Sequence, residues 1–476
     1  MERPSLRGRR RRDRAQGACR DQRYPHRRDL RPLGEEDEPG RRRLRRIDDP
    51  ERGRGRARRR ELRRPPAHDA RQDPRRAGLH ERLLLRVPLR RRGTHHLPDR
   101  ALEYLARLQR ALQSLPDGTG APGRALGATE SVELDIIAHP GKIQDSHEHA
   151  RRVEEAGFGA IWWTDSGRSA YLASTASVLS TERLVIGTGI AVAFPRSPMV
   201  TAGIAWELAA STGGRFVLGL GSQVKAHIER RYSTEFSPPG PRLKEYVESI
   251  KAIFRAFNKE EKLSYEGEYY NFSLLPDMWS PGPIEVAPPP IYVSAVRPYM
   301  SRLVGEVADG VHIHPFHSPS FVRDRQRASI EEGCARSGRT LDDVTFSIPV
   351  MTAVGDTDEE LEKTRNHARM MCAFYGSTPG YESIMEHHGY EGMGQELNAL
   401  QRKGDIPGMA KLMNDDVLSH YVIEASWNDL GPKLVETYKD VAPNVRITSY
   451  TAADHFDDPA IREKWAQVTK AMREAG

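Results

Sequence analysis

The sequence predicts an α/β fold, a (β/α)8 barrel with insertions, on three observations. Short β-branched runs, apolar on both faces, recur along residues 129–476, as strands of a parallel sheet covered by helices require. Each run is followed by a stretch of helical period. Eight such units over that length match a barrel, although a doubly wound open sheet also alternates in this way.

The first unit is VELDIIA, then residues 145–156 as a helix closed by Gly157. FGAIWWT and RLVIGTGIAV give the second and third strands, with helices from about Ala170 and over PMVTAGIAWELAAST, the latter ending at Gly213-Gly214. RFVLGLG is the fourth, leading to a helix near 241–257 and a segment over 258–290 with the hairpin-like LSYEGEYYNF. PPIYVSAV, GVHIH, VTFSIPVMTAV and NVRITSY complete the eight, and a helix near 458–473 closes the chain. No GxGxxG opens any helix, so a Rossmann dinucleotide site has no support.

The chain has 476 residues and a net charge of +7 that conceals two unlike parts. Residues 1–128 hold 37 Arg, no Lys and 18 acidic residues, a net +19, against −12 for the remainder. Runs such as RGRGRARRRELRRPP have no apolar period and cannot bury enough surface to offset ordering entropy. Residues 1–128 therefore read as a disordered Arg-rich arm or as sequence translated upstream of the true start. Within them, 99–114 has a helical period and 116–120 a linker composition. An Arg-rich arm can neutralise nucleic-acid phosphates, but Tyr24 and Tyr104 are its only tyrosines and no stacking platform is formed. Nucleic acid is thus an unfavoured partner. No ~20-residue apolar run suggests a membrane span. Three widely spaced cysteines, Cys19, Cys334 and Cys372, suit a reducing cytoplasm.

In a barrel, chemistry collects at the C-terminal ends of the strands. The residues there are Asp165 after the second strand, 189–196 after the third and 222–227 after the fourth. After the fifth come 294–297, and after the sixth HIHPFH at 312–317. Alternating histidines can share a strand face, but no acidic or Cys partner stands nearby, so no metal site is assigned and packing or pocket polarity is the expected role.

Four segments at these ends, IGTGIAVAFPRSPM (186–199), GGRFVLGLGSQVKAHIERRY (213–232), VGEVADGVHIHP (304–315) and FYGSTPGY (374–381), resemble the luciferase-like monooxygenase superfamily. Within it they are most similar to the actinobacterial branch that uses the deazaflavin coenzyme F420; a reduced-FMN monooxygenase on the same barrel is the alternative. The resemblance covers roughly 131–474. It implies hydride transfer between the cofactor and a small organic substrate. It also implies a non-proline cis peptide at Gly189–Ile190 behind the cofactor ring; Gly187 and Gly189 could equally serve only close strand packing.

By the same resemblance Asp165 meets the ring system, or simply caps a helix. Ser222 and His227 approach the ring edge or tail, and Arg196, between two prolines, clamps an anionic group or forms a surface pair. Backbone N–H groups of Val296 and Arg297, at a helix beginning on Pro298, hold the phosphate, and His314 adds a contact. Asp165, His227 and Arg196 are the candidate catalytic residues. Two departures stand out. Relatives often carry Gly-Gly where this chain has Val296-Arg297. The superfamily's sugar-phosphate dehydrogenases place His and Glu where Ser166 and Val224 stand, which argues against that substrate. The aromatic residues of 258–290 suggest a lid, and relatives often form dimers, so a homodimer is expected.

Overall fold

The computed structural model describes residues 133–452 and 456–476. The readings made for residues 1–128 lie outside the described residues. Eight parallel strands close into a barrel: Leu134–Ala138, Ala160–Trp163, Val185–Thr188, Phe216–Gly221, Ile291–Ala295, Gly310–Ile313, Thr345–Val354 and Val445–Ser449. Closure runs through Leu134 opposite Ile447, Phe346 opposite Val445 and Thr345 opposite Gly310. This is the barrel rather than the open sheet. The strands are buried on both faces because helices pack outside and side chains fill the inside.

The helices follow their local signals. Ser197 caps Pro198–Ser211 by accepting from Met199 N, with Pro198 at the first position. Thr357 caps Asp358–Gly376, whose first turn carries Asp358, Glu359 and Glu360 against the helix dipole. Asp458 caps Pro459–Ala475. The long helix Pro239–Phe257 buries Leu243, Tyr246, Val247, Ile250 and Ile253 on its inner face.

The largest core lies between strands and helices. A second fills a helical segment over 358–418 inserted after the seventh strand, around Met351, Cys372, Met385, Leu397 and Phe316. Inside the barrel, Trp162 packs with Val217 and Tyr292, and its Nε1 donates to Asp135 Oδ2 at 3.1 Å. Arg446 grips the fully buried Asp135 with two bonds of 2.7 and 2.8 Å, a bidentate pair that satisfies both charges.

Two features depart from the sequence expectation. A further strand, Val422–Ala425, pairs in parallel with Met351–Val354, extending the sheet beyond the barrel. The 258–290 segment lays Tyr265 and Tyr270 on the helix Pro239–Phe257. Tyr265 donates to Glu248, Tyr270 meets Tyr246 edge-on at 5.6 Å, and Glu245 accepts from the backbone of 268, 269 and 270. The expected lid is thus a brace along that helix, from which Leu274, Met278 and Trp279 project into solvent.

Candidate active site at the barrel mouth

The strand ends converge as expected for the C-terminal face of a barrel. Asp165, buried, follows the second strand. Its Oδ2 accepts from Arg196 Nη1 at 2.7 Å and from the Val192 backbone at 3.1 Å, and Oδ1 lies 3.4 Å from Nη2. Arg196 also donates to the Val192 carbonyl at 2.9 Å and stands over the Tyr171 ring. Burial alone would lower the Arg196 pKa, but the Asp165 carboxylate raises it above the ordinary guanidinium value. Two residues named separately from the sequence are therefore partners, and they tie the second strand's end to the loop after the third.

Between them, the Gly189–Ile190 peptide is cis. Gly189 N donates to Trp163 O at 2.8 Å, and the Ile190 carbonyl accepts from Asp165 N at 3.1 Å. Both residues are half-exposed, whereas the strand before them is buried. Close strand packing also holds here. A Cβ on Gly187 would lie 2.3 Å from the Trp162 ring, and one on Gly189 2.8 Å from Trp162 Cβ.

Ser222 is half-buried after the fourth strand, its hydroxyl 3.3 Å from the Gln223 carbonyl. His227 is exposed on the helix Lys225–Arg230. After the fifth strand, Val296 packs against the inserted helical segment. The Arg297 guanidinium lies beside Gly380, where a Cβ would stand 2.9 Å from its Nη2. The helix Pro298–Val307 starts here, and a cavity of about 300 Å³ opens at its N-terminal end. Val296, Ser301, Arg325, Gln326, Ser383 and His387 are among its lining residues. Ser301 Oγ and Gln326 Oε1, both buried, have no hydrogen-bond partner. The unpaired Ser301 hydroxyl, the Arg325 guanidinium and a helix N-terminus together suit an anionic group, whereas Gln326 Oε1 can only accept.

The three histidines of HIHPFH go to three environments. His312 points into the barrel against Trp162, and burial lowers its pKa to about 4. His317 lies 3.2 Å from the Tyr438 hydroxyl. His314 stacks on Tyr381 at 4.3 Å and meets Tyr375 edge-on at 4.8 Å, while its Nδ1 accepts from Phe316 N. Burial, then the neighbouring His317, lowers the His314 pKa to about 3. Among the described residues, no group of three His, Cys, Asp or Glu side chains is placed to hold a metal ion.

Sequence reasoning missed three parts of the mouth. The first is the wall of Tyr375, Tyr381 and Tyr450, in which the Tyr375 and Tyr450 hydroxyls are hydrogen-bonded. Its signal was FYGSTPGY, which carried the resemblance but was given no role. The second is the anion-suited cavity, which joins the start of the helix after the fifth strand to residues following the sixth strand and to the inserted helical segment. The third is His139, directly after the first strand, whose Nδ1 is 2.7 Å from Thr164 Oγ1.

The profile of the luciferase-like monooxygenase family matches residues 124–443. An uncharacterised protein of Mycobacterium tuberculosis is 34% identical over 298 residues, 63% of this chain and 87% of that one. The 5,10-methylenetetrahydromethanopterin reductase of Archaeoglobus fulgidus is 30% identical over 307 residues, 63% of this chain and 87% of the reductase. Among solved structures, the coenzyme F420 dependent tetrahydromethanopterin reductase of Methanopyrus kandleri superposes with a TM-score of 0.58 at 19% identity, covering 72% of this chain and 98% of its own. The match to the family profile spans most of the barrel and the mouth just described, and the chain belongs to the luciferase-like monooxygenase family of oxidoreductases.

Proposed function

We propose that this oxidoreductase is F420-dependent and moves a hydride between the deazaflavin and a small organic substrate such as an alcohol or an enal. The observation that carries this reading is the cavity at the start of the helix Pro298–Val307, where the Ser301 hydroxyl is buried and unpaired. It suits the phosphate-bearing tail of such a cofactor, with Arg325 and Arg297 supplying positive charge. The relatives support it too: the Archaeoglobus protein is a methylenetetrahydromethanopterin reductase, and the Methanopyrus tetrahydromethanopterin reductase is coenzyme F420 dependent.

When bound, the deazaflavin supplies the carbon that accepts or donates the hydride. The protein's part is to bind, orient and dry the site. The half-exposed Gly189–Ile190 segment offers a surface for the ring, held from behind by Trp163 and Asp165. The Asp165–Arg196 pair fixes the loop beside it. The wall of Tyr375, Tyr381 and Tyr450, with His314, adds an aromatic face by the ends of the sixth and eighth strands that helps to exclude water.

Anaerobic incubation of the full chain with oxidised F420 and a panel of secondary alcohols tests the proposal. Loss of the deazaflavin visible absorbance with stoichiometric ketone formation is expected. Oxygen-dependent turnover with reduced FMN and none with F420 would assign the chain to the oxygen-using reading instead. Glucose 6-phosphate is expected to be inert, since Ser166 and Val224 lack the acid–base side chains its dehydrogenases carry.

A further inference from the structure

The hydride reading leaves one requirement open, the group that takes up the proton as an alcohol becomes a ketone. Asp165 is fully engaged, its carboxylate bound by Arg196 and by the Val192 backbone. His314 accepts a backbone hydrogen bond at Nδ1 and is held far below its ordinary pKa by burial, so its free ring nitrogen carries the proton and is no base. His227 projects from the helix Lys225–Arg230, outside the ring of hydrogen bonds that ties the first three strand ends together.

His139 is inside that ring. It follows the first strand, and its Nδ1 lies 2.7 Å from Thr164 Oγ1, at the end of the second strand. Thr164 Oγ1 in turn donates to Ser166 Oγ at 3.3 Å. Assigning the threonine proton to Ser166 leaves the threonine oxygen to accept from His139, with the ring proton on Nδ1 and the lone pair on Nε2. Thr164 is flanked in sequence by Trp163 and Asp165, whose backbones hold Gly189 and Ile190. An exposed imidazole is thus joined, through Thr164 and its neighbours Trp163 and Asp165, to the surface proposed for the ring.

We propose that His139 is the proton-transfer residue of this site, with Thr164 and Ser166 as positioning residues that set its tautomer. This rests on the hydride reading above. In the oxidative direction the substrate C–H bond breaks and its hydride passes to the deazaflavin carbon. The O–H bond breaks with its proton taken by His139 Nε2, and the carbonyl C=O forms. The imidazolium then releases the proton to water. In the reductive direction the same imidazolium protonates the carbonyl oxygen as hydride arrives at carbon.

The test combines labelling and kinetics on the full chain. Diethyl pyrocarbonate modifies accessible neutral imidazoles, and mass mapping reports each site; His147, half-buried on the helix Ile143–Glu155, serves as the internal comparison. Bound F420 is expected to protect His139 while leaving His147 reactive. His139→Gln is expected to bind F420 with unchanged affinity and to lower kcat about 100-fold or more with little change in KM. It should also remove the acidic limb of the kcat profile. Thr164→Val should lower kcat less and shift that limb. F420 binding with no protection of His139, or a His139→Gln variant that keeps both kcat and the limb, overturns the inference alone. Failure of F420 to bind overturns the cofactor reading and the inference with it.

Discussion

The Asp165 carboxylate and the Arg196 guanidinium meet at 2.7 Å across the ends of the second and third barrel strands, with Asp165 side chain only 5% exposed and Arg196 23%. A pair this enclosed acts through what its loss leaves behind. Asp165→Ala strands a guanidinium and the Val192 N–H, and should cost about 3 kcal/mol of unfolding free energy. Arg196→Ala on that background should add little. Denaturant unfolding of both singles and the double checks the coupling; additive losses would show that the two residues do not act together.

Two glycines predict opposite signs. A Cβ on Gly219 would stand 1.8 Å from the Thr188 carbonyl oxygen and 2.6 Å from His312 Nε2. Neither can yield, since the first is backbone and the second is boxed in by Trp162 and Tyr292. Gly219→Ala should destabilise by about 1–3 kcal/mol or more. Gly203, inside the helix Pro198–Ser211, has nothing within 4 Å of its Cβ direction. Gly203→Ala should stabilise by about 0.5–1 kcal/mol. Thermal melts of the two variants compare them directly.

Acid should weaken the fold through its buried histidines. His312, His317 and His388 are held near pKa 4, chiefly by burial, against 6.5 for a free imidazole. Between those values the unfolded chain binds protons that the fold refuses. Stability is therefore complete above pH 6.5 and falls as pH drops toward 4. His388, stacked on His420 at 3.9 Å and bonded to Ser318 Oγ at 2.8 Å, is the least buried of the three in its surroundings. His388→Asn should flatten the melting temperature's dependence on pH in this window. An unchanged slope would remove His388 from the explanation.

A homodimer is proposed from the helices Ala170–Val178 and Pro198–Ser211, which are apolar around most of their circumference. Leu172, Leu179 and Val200 on or beside them are 55%, 78% and 54% exposed. Paired Leu172→Glu and Val200→Glu substitutions should lower the mass measured by light scattering to that of a monomer. A monomeric parent chain would contradict the proposal.

Much of this architecture was legible in the sequence because barrel strands advertise themselves. Runs such as FVLGLG and TFSIPVMTAV are apolar on both faces, and every one of the eight became a barrel strand. Val422–Ala425 escaped because only Val422 in VIEA is fully buried, and its pairing depends on how far the seventh strand overshoots the barrel. The Asp165–Arg196 pair spans 31 positions, a contact that strand closure creates and no local pattern announces. His139 was legible in kind, a histidine directly after a strand, but its importance lies in a hydrogen bond to a neighbouring strand's threonine. The aromatic 258–290 segment misled for a related reason: composition marked a hydrophobic docking element without saying which surface it docks on.

The central claim is that the barrel mouth holds a deazaflavin. Equilibrium titration of the full chain with F420 and, separately, with FMN, followed by ring fluorescence, tests it most directly. The account predicts saturable binding of F420 that weakens when Ser301 is replaced by alanine and Arg325 by leucine, with FMN bound weakly or not at all. Tight FMN binding without F420 binding, or F420 binding indifferent to both substitutions, would contradict it.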